Sequence, residues 1–254
     1  MLFSEIVYGP IHSRRLGCSL GINLMPPDGK ICTFNCVYCE CGFNTEGHYK
    51  LPTRQQVAKA MEEKLIQLQQ EGVTPDVFTF SGNGEPTMHP EFEGIIDDTV
   101  TLRDKFFPTA KISVLSNSTR LDNEAVVRAL MKVDNRILKF DSAFNETMKL
   151  IDQPVNEAFN VEDLTERLCS FKGNLIVQTI FLRGEHKGQI IDNTTEKEVT
   201  AWIESVKKIN PKQVMIYAID RATPVKTLEK VSREELENIA NRLRELGYQV
   251  SVAG

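Results

Sequence analysis

The sequence predicts an α/β fold, a partial (β/α)6 TIM-like barrel with parallel strands and an open side. Three observations carry this. From about residue 50 onward, short β-branched or aromatic runs alternate with segments of 3.6-residue apolar periodicity, the pattern of βα units. Six such strands can be placed, where eight would close a full barrel. With 254 residues, 41% of them hydrophobic, the chain can bury a sizeable core as one domain over 1–254.

The strands are expected at 19–24, 77–80, 112–115, 137–140, 175–182 and 214–219, with a short terminal strand near 248–252. The best helix spans 53–70. Pro52 precedes it, Thr53 and Gln56 fit a capping box, Val57, Ala60, Met61, Leu65 and Leu68 form one apolar face, and Gly72 supplies the stop. Further helices carry Phe92, Ile95, Ile96 and Phe106, then Val126, Ala129 and Leu130, then Val161, Leu164 and Leu168. Two more open at Thr195 with Glu198 and at Ser232 with Glu235, the last ending at Gly247. Ligands of parallel sheets gather at the carboxyl ends of the strands, so function is expected just after each one.

Lysine and arginine number 30 against 35 aspartates and glutamates, a net charge of -5, which argues against sequence-independent nucleic-acid binding over the whole surface. No apolar run approaches the roughly 18 residues of a membrane span. The opening MLFSEIVYGP has no basic segment before a hydrophobic stretch, so a cytoplasmic location is expected, with no membrane partner.

Of six cysteines, Cys32, Cys36, Cys39 and Cys41 fall within ten residues, in a C-x3-C-x2-C pattern with one more two residues on. Such clustering points to a metal site rather than to disulfides. Three thiolates on a curling loop can hold three corners of a [4Fe-4S] cubane and leave one iron open. The alternative is a structural zinc site using all four cysteines. Against zinc, Cys39 and Cys41 are one residue apart, which turns their sulfurs to opposite sides in extended backbone. Cys18 and Cys169 stand alone and read as small core residues.

The loop with Tyr38 before its last triad cysteine resembles that of the radical S-adenosylmethionine (SAM) superfamily. GPIHSRRLGCSLGIN before it, and FSGNGEPTMHP and LKFDSAFNETMKLIDQP after it, resemble the group related to wyosine-base synthesis enzymes, which is also similar to glycyl-radical-enzyme activases. The resemblance implies a single radical SAM domain with a cluster-binding loop at 32–51. It implies a [4Fe-4S] cluster on Cys32, Cys36 and Cys39, and reductive cleavage of SAM to a 5′-deoxyadenosyl radical that abstracts hydrogen from substrate. A one-electron reductant such as flavodoxin or ferredoxin would be the partner. Three other activities are weighed: tRNA modification of the wyosine type, activation of a protein's glycyl radical, and, from a different class, a non-enzymatic iron–sulfur electron carrier. The first and second would make the substrate an RNA or a protein.

By the same resemblance the SAM contacts are Tyr38 together with Gly82, Asn83, Gly84 and Glu85, where Asn83 replaces the first glycine of the family's usual pair. Strand-end position adds Asn117, Lys139 and Asp141, residues that also suit helix caps. Gln178, an amide inside an apolar strand, faces either cofactor or substrate, or is a satisfied buried amide. Tyr217, Asp220 and Arg221 close the sixth strand; with Arg14 and Arg15 the last would grip an anionic or large substrate, or form surface pairs. The histidines at 12, 48, 89 and 186 share no spacing, and His12 and His89 are the two considered for the site.

Overall fold

The computed structural model describes residues 2–13 and 16–254, so the expectation for Arg14 and Arg15 lies outside the described residues. The chain divides into two compact units, Met1–Cys32 with Asn44–Ser116 and Arg120–Arg136, and Thr33–Phe43 with Asn117–Thr119 and Ile137–Gly254.

The first unit holds β1 (Val7–Ser13), β2 (Gly17–Ile22), α1 (Arg54–Glu71), β3 (Val77–Phe80), α2 (Phe92–Phe106), β4 (Lys111–Ser116) and α3 (Glu124–Lys132). Its strands lie in the order β1-β2-β3-β4. β1 is antiparallel to β2, and the β2–β3 and β3–β4 pairings are parallel. Alternation along the strands divides two faces. Leu20, Ile22, Phe78, Phe80, Ile112 and Val114 are fully buried, as are Met61, Leu65 and Leu68 of α1. The opposite face is polar: Ser19 Oγ meets Thr79 Oγ1 at 2.8 Å, and Asn135 Nδ2 donates to Ser113 Oγ at 3.1 Å. A sheet with one oily face packed on helices and one polar face is suited to place ligands on the polar side.

Asn135 and Arg136, which open β5 (Asn135–Lys139), belong to the first unit; the second takes the strand from Ile137 and runs through α4 (Asn145–Asp152), α5 (Val161–Cys169), β6 (Ile176–Ile180), β7 (Leu182–His186), β8 (Gln189–Asp192), α6 (Glu196–Ile209), β9 (Gln213–Tyr217), β10 (Leu228–Lys230) and α7 (Arg233–Glu245) to β11 (Val250–Ala253). Its main strands follow the order β5-β6-β9-β11, all parallel, and a small antiparallel sheet has the order β10-β7-β8. The expected α/β class with parallel strands is borne out. Three elements were not expected from the sequence: the edge strand β1, the helix α4, and the small sheet.

The expected caps form at α1, where both halves of the Thr53/Gln56 box are present and Gly72 takes a left-handed φ of 69°. They form also at α7, with both halves of the Ser232/Glu235 box. At α6 only half forms. Thr195 accepts from the Glu198 amide, but the Glu198 carboxylate, 7% exposed, instead accepts from Ser142 Oγ at 2.8 Å and Thr147 Oγ1 at 2.5 Å, tying α6 to the start of α4. Cys18 and Cys169 are half-buried rather than core residues, and the Cys169 thiol donates to the Lys208 carbonyl. Among the described residues no helix is long and apolar enough to cross a membrane.

Glu235 also accepts from the Arg183 guanidinium, and that bond, followed by those from Ser232, lowers its carboxyl to about 2. A depressed acid stabilises the fold above its unfolded pKa of about 4.5 and loses that contribution as pH falls toward the folded value. Glu235→Gln is therefore expected to lower the urea midpoint at pH 7, with the gap from the parent protein narrowing steadily below pH 4.5; a gap independent of pH would refute this.

Candidate functional site

The loop carrying Cys36 and Cys39 is built on the end of α4. A helix leaves its last carbonyls without intrahelical partners. Here the amides of Asn35 and Val37 donate to the carbonyls of Asp152 and Ile151, both at 2.9 Å, and Val155 N donates back to Thr33 O at 2.9 Å. Phe34, 1% exposed, packs edge-on against Phe159 with ring centroids 5.4 Å apart, and Val37 is fully buried. The apolar residues between the cysteines are thus anchors, and they turn the thiols in a fixed direction. Cys39 N then donates to Cys36 O, and Gly42 N to Cys39 O, continuing the curl.

Around Cys36 a buried ionic network converges. Lys139, the last residue of β5, directs its ammonium to Cys36 Sγ at 3.3 Å, to Asp152 Oδ1 at 3.2 Å and to the Tyr38 hydroxyl. The Tyr38 hydroxyl in turn donates to Asp141 Oδ2 at 2.6 Å, while Asp141 Oδ1 accepts from the Ile180 amide at 2.9 Å. The Cys36 thiol donates to Asp152 Oδ1 at 3.4 Å. Burial, and next the Asp141 charge, push the Tyr38 phenol well above its ordinary pKa, so it stays a donor. Burial works against the Lys139 charge, but Cys36, Asp152 and Asp141 outweigh it and hold the ammonium well above its usual value. Asp152 is raised to about 7 by burial, against the pull of Lys139 and with Asp141 adding to the rise.

Register places Gln178 of β6 beside Lys139 on one side and Met215 of β9 on the other, so the three share a face. Gln178 is 8% exposed, and its buried Nε2 meets no acceptor among the described residues. Leaving such a donor unmade costs about 1–3 kcal/mol, which a bound acceptor would recover. Asn117 Nδ2 donates to Thr33 Oγ1 at 2.7 Å, and its Oδ1 accepts from Thr119 N and Oγ1, so Asn117 braces the residue after Cys32. Arg221 pairs with Glu40, between two loop cysteines, at 2.9 Å, and Asp220 lies 3.9 Å from Lys230.

In the first unit, Cys32 follows Ile31, whose amide donates to Asn83 O and whose carbonyl accepts from Glu85 N, both at 3.1 Å. Gly84 sits against this segment with φ 148°, and a Cβ there would lie 1.7 Å from Ile31 O. The Asn83 side chain is fully buried. Its Nδ2 donates to the carbonyls of Phe3 and Pro26 at 2.8 Å, its Oδ1 accepts from Phe3 N, and its amide donates to Asn23 Oδ1. Asn83 is therefore the clamp of the turn. Gly82 takes φ 138° against Asn23, and Glu85, 2% exposed, accepts from Thr87 N and Oγ1 to open a short 3-10 turn. His89 is buried between the Pro52 carbonyl and the Glu91 amide, and His12 is exposed on β1.

Sequence reasoning missed Asp152, Thr33, Thr119 and Asn23. The one signal for Asp152 was a carboxylate closing the apolar Met148–Ile151 stripe of a short helix, inside a segment already matched by resemblance.

A parallel α/β fold with a C-x3-C-x2-C loop after its first parallel strand is the class that the fold and the site define, and the chain belongs to the radical SAM superfamily, whose family model matches residues 27–194. Members use a [4Fe-4S] cluster and SAM. The chain is 32% identical over 246 residues to UPF0026 protein slr1464 of Synechocystis, covering 92% of this chain and 80% of that protein. It is 29% identical over 240 residues to a protein named GTPase Obg from Brachyspira hyodysenteriae, covering 93% of this chain but spanning only 33% of that one. Among solved structures it shares the fold of Streptococcus suis SuiB bound to SAM, with TM-score 0.65 and 13% identity over 89% of this chain and 49% of that one. It shares it also with TYW1 carrying a lysine–pyruvate adduct, with TM-score 0.61 and 15% identity over 89% and 73% of the two chains.

Proposed function

We propose that this chain is a radical SAM enzyme, an oxidoreductase or transferase, that holds a [4Fe-4S] cluster on Cys32, Cys36 and Cys39 and cleaves SAM reductively to act on a substrate by hydrogen abstraction. When bound, the cluster and SAM supply a one-electron cleavage of the sulfonium to methionine and a 5′-deoxyadenosyl radical. The donor set fits. None of the cysteines is in a disulfide. Among the described residues no three His, Cys, Asp or Glu side chains gather closely enough for one shared ion, whereas each thiolate of a cubane holds a different iron.

The observation that carries the reading is the orphaned Gln178 Nε2 on the face that also bears Lys139, since it calls for an acceptor on a bound molecule beside the cysteine loop. The residues divide the work. The glycines of 82–84 bring backbone close to a ligand, Glu85 and Asn117 hold turns, and Asp141 with Tyr38 forms a polar wall for the SAM ribose and amino-acid ends. Gln178 donates to SAM or substrate. The partner is a low-potential one-electron donor of the flavodoxin or ferredoxin kind, and the setting is the cytoplasm.

The test is electron paramagnetic resonance of the reduced, reconstituted protein with and without SAM, together with assay for 5′-deoxyadenosine under dithionite. SAM is expected to alter the signal, and slow 5′-deoxyadenosine formation is expected without added substrate. An unchanged signal with no 5′-deoxyadenosine would leave an electron carrier.

A further inference from the structure

We propose that Lys139 sets the reduction potential of the cluster through Cys36, a role that rests on the cluster reading above. The ammonium has three N–H donors, and all three are placed: on the Cys36 sulfur at 3.3 Å, on Asp152 at 3.2 Å and on the Tyr38 hydroxyl. Its position is over-determined. Asp141 Oδ2 lies 3.6 Å away, the Tyr38 and Phe34 ring centroids 4.7 and 5.5 Å, and the side chain is 15% exposed. The two carboxylates that hold it are 1% and 2% exposed. A buried carboxylate pair with so little water needs a cation, and the cation so fixed touches a ligand sulfur.

The electrostatic consequence has a definite sign. One-electron reduction takes an electron from an external low-potential donor and adds one negative charge to the cluster, spread in part over its thiolates. A hydrogen bond to a ligand sulfur and a nearby positive charge both favour the more negative state, and such contacts are among the levers that tune iron–sulfur potentials. Low local dielectric makes the charge count for more than it would at the surface. Asp141 and Asp152 temper the effect, Asp152 the more because its Oδ1 also lies 3.4 Å from the Cys36 sulfur; of these groups only the Lys139 ammonium can donate to a metal-bound thiolate. This differs from a carboxylate-binding role toward SAM, for which the ammonium would have to release a donor.

The experiment compares parent, Lys139→Met, Lys139→Gln and Lys139→Arg proteins, each reconstituted, checked for iron content, and poised at one potential without SAM. The ratio of reduced to oxidised cluster is read by electron paramagnetic resonance. Lys139→Met is expected to lower the ratio about tenfold, which is 59 mV for a one-electron couple. Lys139→Arg, which keeps charge and donor, should stay within about threefold on the same scale. A fully loaded Lys139→Met protein with an unchanged ratio would overturn the proposal, and would do so most clearly if SAM binding fell instead. Should Lys139→Met fail to load, Lys139→Gln decides on the same criterion, and failure of all three variants to load would make Lys139 a structural residue and overturn the tuning role. A parent protein that takes up no iron would instead overturn the cluster reading itself.

Discussion

Replacing any one of Cys32, Cys36 or Cys39 with alanine is expected to take the anaerobically reconstituted protein from about four iron atoms per chain to near none. The reason is the number of anchors. On the proposed set of three protein thiolates with one iron open to SAM, loss of one would leave two attachments and expose a second iron to solvent. Cys41→Ala should keep the iron, because Cys41 lies outside the C-x3-C-x2-C spacing, within the turn closed by the Cys39 carbonyl and the Gly42 amide. Iron and acid-labile sulfide analysis reads the result. Zinc in place of iron, or loss of metal only when Cys41 is changed, would refute the assignment. Far-UV circular dichroism separates cluster loss from unfolding, since Phe34 and Val37 hold the loop whether or not the sulfurs are present.

Gly84→Ala is expected to have the largest effect on stability of any single methyl addition in the first unit. Two penalties combine. The φ of 148° is one that a side chain rarely adopts, and the new Cβ would overlap the Ile31 carbonyl at 1.7 Å. Strain of this kind and overpacking each cost on the order of 1–3 kcal/mol, so about 3 kcal/mol in sum is expected, a fall in Tm of roughly 6–12 °C for a chain of this size. Because the displaced carbonyl belongs to the residue before Cys32, iron content should fall as well. Gly42→Ala is the control: its φ is also positive, at 85°, but nothing lies within 4 Å of the added atom, so it should cost about 1 kcal/mol. Equal behaviour of the two variants would show that the contact with Ile31 is unimportant.

Much of this fold was legible because strands and capped helices announce themselves locally. The strand at 77–80 was placed at its observed ends, and the first strand expected at 19–24 lies over 17–22, two residues earlier. Thr53 and Gln56 read correctly because both partners of that box are exposed and have no other claim on them. Thr195 and Glu198 misled in part: burial of Glu198 let two hydroxyls of the α4 region capture its carboxylate, a competition that sequence spacing cannot display. β1 was missed because Gly9 and Pro10 interrupt its alternation, a pairing tolerated on an edge strand. β7 and β8 turn at Lys187 and Gly188, both with positive φ, and their polar faces carry little hydrophobic period.

The residues that meet around Cys36 could be named from the sequence, but the connections among them could not. Tyr38, Lys139, Asp141 and Gln178 could be named one at a time from the cysteine motif or from position. That Lys139 reaches a cysteine sulfur 103 residues earlier in the chain is a tertiary fact with no local trace. Asp152 escaped because its importance comes from burial beside a lysine, and burial of a helix-terminal aspartate is uncommon enough that pattern reading assigns it to solvent.

The docking of the cysteine loop on the end of α4 bears on the order of events during biogenesis. Cys36 meets Asp152 across a sequence separation of 116 residues, and the backbone bonds that dock the loop, from Asn35 to Asp152, from Val37 to Ile151 and from Val155 to Thr33, span similar distances. A nascent chain that has exposed its cysteines has therefore not yet made the surface on which they are arranged, and closing so long a loop is entropically costly until the later strands and helices exist. Maturation is in consequence expected to be late and post-translational: the polypeptide would complete its own shape first, and the inorganic cofactor would be delivered to a receptor already formed. That is the reverse of a zinc finger, in which the metal is what folds the peptide.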